Sequence, residues 1–259
     1  MTRDKLNDLK TWFAGYVSNF YSDDPDYNHP IRLKQEHTIR VCQNTVLIGK
    51  ELGISDQDII LAETMALFHD IGRFKQYEIY NTFNDFISEN HARLGLRQMA
   101  VHGVLSECTA PEKRLIARAI AYHNAATLPE NEDDNTLFFM RLVRDADKLD
   151  IWELFIDYYY ERKNNHSAVV ELGLPDDPIC SQRVVESLHQ HRFVRTRDLK
   201  TLNDFKLLQI SWVYDLNFVP SFQIVQNRKY IEKLEKMLPQ SKQIKEAVKI
   251  ARDHVNSFL

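Results

Sequence analysis

The stretch SDQDIILAETMALFHDIGR, residues 55–73, decides how the chain folds. Ile59, Ala62, Ala66 and His69 recur at intervals of three and four, which places them on one face of a helix. Ser55 and Asp56 ahead of Ile59 and Ile60 form a helix start signal. Gly53 and Gly72 each follow an apolar-periodic segment, where a left-handed C-cap glycine is expected. The apolar face therefore ends on an imidazole and, one residue on, a carboxylate, Asp70.

Outward from this stretch the same spacing dominates, and no run alternates with period two, so the chain reads as all-α. Helices are predicted over about 3–21, 30–53, 56–70, 88–105, 111–124, 134–163, 179–192, 197–217, 221–238 and 241–257. Pro111 with Glu112, Pro178 and Pro220 mark helix starts. NHPIR (28–32) and AATLPENEDDN (125–135) read as loops. A further aperiodic stretch, NNHSAVVELGLPDDP (164–178), divides the chain into a helical core over 1–177, with an N-terminal helix, and a helical extension over 178–259 packed on it. In the last helix Ile244, Val248, Ala251, Val255 and Phe258 recur as a packing face, which suits closure over the core or a homo-oligomer surface. The aromatic run WELFIDYYY (152–160) reads as core.

Composition narrows the function. Seven glycines in 259 residues, against about 7% in average usage, argue against sandwiches, barrels and dinucleotide-binding sheets. Neither GxGxxG nor GxxxxGK[ST] occurs, so any phosphate is held without a glycine-rich loop. A formal charge of −4 offers no positive field to a nucleic acid polymer. Cys42, Cys108 and Cys180 are odd in number and widely spaced, which suits buried thiols in a reducing compartment. The start MTRDKLNDLKTWF is charged, and no stretch approaches the ~18 apolar residues of a membrane span, so a cytoplasmic protein with no membrane partner is expected.

The informative residues are polar ones on apolar faces. His37 lies on the stripe of Val41, Thr45, Ile48 and Leu52; His91 follows Ile87 and precedes Leu94; His123 continues Leu115 and Ala119; Asp147 continues Phe139 and Val143. One inward histidine is ordinarily a hydrogen-bonded core residue. Several imidazoles and carboxylates converging in a core cost several kcal/mol unless something compensates their burial. A divalent transition metal accepts both donor types and neutralises the acids, and ligands on different helices of a bundle meet at its centre whatever their sequence separation.

EHTIRV with His37, LFHDIGR with His69 and Asp70, and VRDADKLD with Asp147 make the chain resemble the HD-domain superfamily of metal-dependent phosphohydrolases over about residues 30–155. The resemblance implies an HD-domain helical bundle with additional C-terminal helices. It implies four minimal ligands, His37, His69, Asp70 and Asp147. In two-metal members, histidines between the pair and the last Asp join the site, here His91 in SENHARLG and His123 in AYHN. Asp70 would then bridge, with His37, His69 and Asp147 on one ion and His91 and His123 on the other. The alternative keeps one ion, with His91 and His123 as donors behind its ligands or as phosphate contacts. Iron, manganese, zinc, cobalt or nickel would serve, and magnesium is allowed. Asp145 and Asp150 neighbour the last ligand; ADKLD favours Asp147, with Asp150 behind it or on the helix surface. No Gly-Tyr-Pro follows His123, which disfavours cyclic-di-GMP as substrate.

The activity so implied is hydrolysis of a small phosphomonoester or nucleotide, by in-line attack of metal-bound hydroxide on phosphorus. Asp70 would hold the ions and orient the water. Arg73 would fork onto phosphate oxygens. Lys148 and Asn124 are weaker substrate candidates, followed by Lys75, Tyr122 and His166; a solvated surface charge is the plainer reading of Lys148 and Lys75. His29, His102, His189, His191 and His254 read as surface or packing groups. Two other readings stay open: a di-iron HD-domain oxygenase, and a non-catalytic nucleotide-binding sensor whose C-terminal helices recruit a partner.

Overall fold

Side-chain caps set where most helices begin. In the computed structural model, which describes residues 1–162 and 170–259, Thr2, Asp24, Ser55, Asn90, Thr109, Thr201 and Ser241 each accept a backbone N–H from the first turn that follows. At Thr109 the cap is reciprocal, because Glu112 reaches back to the Thr109 N–H. The helices are α1 (Arg3–Ser18), α2 (Pro25–Glu51), α3 (Asp56–Phe68), α4 (Gly72–Tyr80), α5 (His91–Val101), α6 (Ala110–Tyr122), α7 (Asp134–Glu161), α8 (Gln182–His189), α9 (Leu202–Ser211), α10 (Val219–Arg228), α11 (Tyr230–Glu235) and α12 (Lys242–Asn256). Short 3-10 turns fall at Thr196–Asp198 and Trp212–Asp215. No strand occurs among the described residues, so the all-α reading holds.

Four local expectations are corrected. NHPIR is helical, because Asp24 caps α2 and Pro25 occupies its first turn; together these outweigh the one bond that Pro30 forfeits inside the helix. Gly72 does not end a helix in the left-handed region. It begins α4, which the spacing did not reveal, and a Cβ there would fall on the His91 carbonyl and the Gly95 amide. A Cβ on Gly95 would meet Gly72 N and Ile71 Cγ2 at 3.1 Å, so this glycine pair is what lets α4 and α5 touch. Pro178 lies ahead of α8, which starts after Ser181. Gly53 does take the left-handed conformation, with φ 66°. Lys229, with φ 55°, splits the expected 221–238 helix into α10 and α11.

The chain divides into two compact units, Met1–Asp150 and Ile151–Leu259, with the division inside α7. In the first, residues 59–72 are buried without interruption, and α3 packs against α1, α2 and α6. Leu6, Val17, Val41, Ile48, Ile116, Ile120 and Val143 close this core. Glu63 is buried on α3, but Arg3 and Lys10 of α1 pair with it. In the second unit Trp152 stacks on Tyr230 and its indole N–H donates to Gln209 O at 3.0 Å. Ile244, Val248, Ala251 and Val255 of α12 are buried as the spacing requires, and Phe258 stacks on Phe222 at 4.2 Å. The three cysteines are free thiols. Among the described residues no helix is long and apolar enough to cross a membrane.

Candidate metal centre

Helix ends place three of the four histidines. His69 and His123 are the C-cap residues of α3 and α6, where backbone carbonyls lack intrahelical donors. Each donates Nδ1–H to the carbonyl three residues back, Ala66 O and Ile120 O, both at 2.7 Å. His91 opens α5, and its Nδ1 lies 2.7 Å from Asp85 Oδ2. His37, mid-way along α2, has Nδ1 2.6 Å from Asp150 Oδ2. Carbonyl and carboxylate oxygens can only accept, so each neutral ring carries its proton on Nδ1 and directs the Nε2 lone pair inward.

The four Nε2 atoms meet at Asp70 in two pairs. His37 and His69 face Oδ2 at 3.5 and 3.7 Å, while His91 and His123 face Oδ1 at 3.2 and 3.5 Å. Within the pairs the Nε2 atoms are 3.3 and 2.9 Å apart. Asp147 Oδ1 joins the first pair, 3.2 Å from His37 Nε2 and 3.6 Å from His69 Nε2. Lys34 Nζ donates to Asp70 Oδ2 at 2.7 Å, and Arg73 Nε stands 3.5 Å from Oδ1.

Charges follow from this packing. Burial pushes the Asp70 carboxyl up, but the Lys34 ammonium and the surrounding imidazoles reverse that and hold it well below the usual carboxylate range. At Asp147 burial is likewise overcome, by the His37 and His69 rings that face it. Burial lowers His123 to about 4. At His37 burial and Lys34 act in the same downward sense, yet Asp147 and Asp150 win and raise its proton affinity.

This arrangement fits a divalent metal. Neutral lone pairs confront one another at hydrogen-bond distance, and Asp147 Oδ1 is buried with no hydrogen-bond partner. Imidazole nitrogen with carboxylate oxygen is a donor set that transition metals accept. Two groups could each hold an ion, His37 with His69 and Asp70, and Asp70 with His91 and His123.

The remaining expected residues take varied positions. Arg73 lies in the first turn of α4, and its Nη1 donates to Phe83 O, Gln76 Oε1 and Asp85 Oδ1, so it fastens the segment that carries Asp85. Lys148 is buried, which excludes the solvated reading, and its Nζ reaches Arg144 O at 3.4 Å. Asn124 is exposed, with Nδ2 3.2 Å from Asp85 Oδ2. Tyr122 is half-buried under Arg118, and Lys75 pairs with Glu78. Asp145 is buried. Asp150 is buried too, and takes both the His37 ring and Arg40 Nε at 2.6 Å. His166 lies outside the described residues.

Four contributors were not singled out by the sequence reading. Asp85 sits in an aperiodic segment; Arg40 anchors Asp150; Arg144 binds the carbonyls of Tyr122, His123 and Ala125, which holds the end of α6; and Lys34 neutralises Asp70. Three of these left a trace in the sequence: Lys34 and Arg40 stand one helical turn before and after His37, and Arg144 lies within VRDADKLD; Asp85 left none.

Residues 35–152 match the HD domain family model. No curated protein and no solved structure matches the chain. The matched segment encloses His37, His69, Asp70, His91, His123 and Asp147, and over those residues this chain carries an HD domain.

Proposed function

We propose that the protein is a metal-dependent phosphohydrolase that acts on a small phosphomonoester or nucleotide and holds two divalent ions, one on each oxygen of Asp70. The observation that carries this reading is the division of four Nε2 lone pairs between the two oxygens of one buried carboxylate. His37, His69, Asp147 and Asp70 Oδ2 would hold one ion, and His91, His123 and Asp70 Oδ1 the other. When bound, such ions polarise a phosphoryl oxygen and lower the pKa of water from 15.7 to roughly 7, so no nucleophilic side chain is required.

The protein's own groups supply orientation and charge. Asp150, Asp85 and the carbonyls of Ala66 and Ile120 fix all four rings in the tautomer that directs Nε2 inward. Arg73 places positive charge beside Asp70 and holds Asp85 in register with His91. The exposed Asn124 amide next to Asp85 is a polar donor at the rim of the site, suited to a phosphate oxygen.

The test is metal analysis of anaerobically purified protein, followed by assay of nucleotides and sugar phosphates with Mn²⁺ under argon. Phosphate release is the expected result. Oxygen consumption with a polyol or aminophosphonate, without phosphate release, would overturn the reading in favour of an oxygenase. Fully loaded protein that turns over no member of the panel would point to a sensor.

A further inference from the structure

Lys34 places an ammonium on the Asp70 oxygen that two histidines also face. It lies on α2 one turn before His37, and its Nζ is 2.7 Å from Asp70 Oδ2, the oxygen that faces His37 and His69. The four Nε2 atoms stand farther from the Asp70 oxygens, at 3.2–3.7 Å, and so does Arg73 Nε, at 3.5 Å. The ammonium is therefore the closest donor to a carboxylate that is almost wholly buried, and a buried carboxylate without a cation is strongly unfavourable.

The two cations beside Asp70 differ in freedom. Arg73 is tied through Nη1 to Phe83 O, Gln76 and Asp85. Lys34 has a flexible four-carbon stem, its side chain is 16% exposed, and its Nζ lies 5.7 Å from the centre of the Phe83 ring. That ring face offers a displaced ammonium a favourable cation–π contact nearby. A divalent ion and an ammonium cannot share one carboxylate oxygen at contact distance, since their like charges repel in a site of low dielectric.

We propose that the Lys34 ammonium is a tethered counter-cation on Asp70 Oδ2, which a divalent ion must displace before it can bind His37, His69 and Asp147. The inference rests on the metal reading above and adds a control on it. Lys34 stabilises the metal-free fold and weakens the uptake of the ion on its own side of Asp70. It is a positioning residue, since it acts through Asp70.

Cobalt titration of the full-length protein tests this, read by the d–d absorption of Co²⁺ and by thermal melting. Lys34→Met keeps the stem and removes the charge. It is expected to bind the first Co²⁺ at least about tenfold more tightly, the lower end of what one adjacent charge does to a buried carboxylate's affinity for a proton. In the presence of chelator the same variant is expected to melt at a lower temperature than the wild type. Equal or weaker Co²⁺ binding by the variant overturns the inference while leaving the metal reading intact. Failure of the wild type to take up Co²⁺ overturns both.

A variant that folds only when Co²⁺ is added supports the inference. Should it fail to fold even then, the wild type decides the matter through reductive methylation of its lysines, followed by peptide mass spectrometry. Lys34 is expected to be labelled severalfold faster with Co²⁺ bound than in chelator. Labelling that is unchanged or slower overturns the inference.

Discussion

The two sides of Asp70 use the same donors and differ in charge. The Oδ2 side holds His37 and His69 with a carboxylate of its own, Asp147, and a cation on a flexible stem, Lys34. The Oδ1 side holds His91 and His123 beside the tethered Arg73, and its extra carboxylate, Asp85, lies behind His91 on Nδ1. The consequence is visible in two buried imidazoles: His37 gains proton affinity from Asp147 and Asp150, whereas burial takes His123 down to about 4. Burial depth is the same for both rings to within a few per cent, so the neighbouring carboxylates decide the sign. The Oδ2 side offers an ion one more carboxylate ligand, Asp147, whereas Asp85 is already taken by His91 Nδ1, so once Lys34 is displaced the two sides should fill in order, Oδ2 first.

The largest effect belongs to the group that both sides share. Asp70→Ala is expected to reduce metal content and turnover to background, measured by elemental analysis and phosphate release; retention of either ion would mean that Asp70 is not the bridge. Next come variants that separate the sides. His91→Ala should halve the metal content of a protein that holds two ions, and Asp147→Asn should remove the tighter of two phases in a Co²⁺ titration. A stoichiometry of one ion before and after His91→Ala would break the two-ion reading.

The residues behind the rings should show an intermediate effect. Asp85→Asn and Asp150→Asn are each expected to weaken metal binding by about 10–100-fold, and each on its own side. Loss on both sides from either variant would mean that the two sides are a single cooperative unit.

The smallest effect is on stability without metal. His123 titrates near 4 in the folded protein and near 6.5 unfolded, so the unfolded chain binds more protons between those values. Stability should therefore fall as pH drops from 6.5 to 4, by about 3 kcal/mol at 1.36 kcal/mol for each pH unit. His123→Gln should flatten that slope in denaturant melts made in chelator. His37, raised instead of lowered, contributes stability that is present below about 6.5 and lost as pH rises through its folded value. His37→Gln should therefore remove a loss on the alkaline side and leave the acid slope in place.

Much of the site is legible in the one-dimensional pattern. His37, His69, His91, His123 and Asp147 each extend an apolar stripe, and a helical stripe has only one direction in which to face. Asp85 has no such stripe, because it sits in an aperiodic segment and reaches His91 by a turn of the chain. The start of α4 was hidden for a related reason. Gly72 carries the usual mark of a helix end, and its actual role, close approach of α4 to α5, depends on Gly95, 23 residues away.

Helical class, the inward set of histidines and aspartates, and most helix starts are properties of local sequence, since caps and apolar spacing act within a few residues. Which Nε2 faces which oxygen of Asp70, which cation guards it, and which carboxylate stands behind each ring are not local. They depend on how α2, α3, α5, α6 and α7 converge within the first unit, where a carboxylate six residues from one histidine and a carboxylate 113 residues from another lie equally close to their rings, at 2.7 and 2.6 Å. Hydrogen-bond distance is indifferent to sequence separation, and for that reason the donors could be named from the sequence while their partners had to be found in the fold.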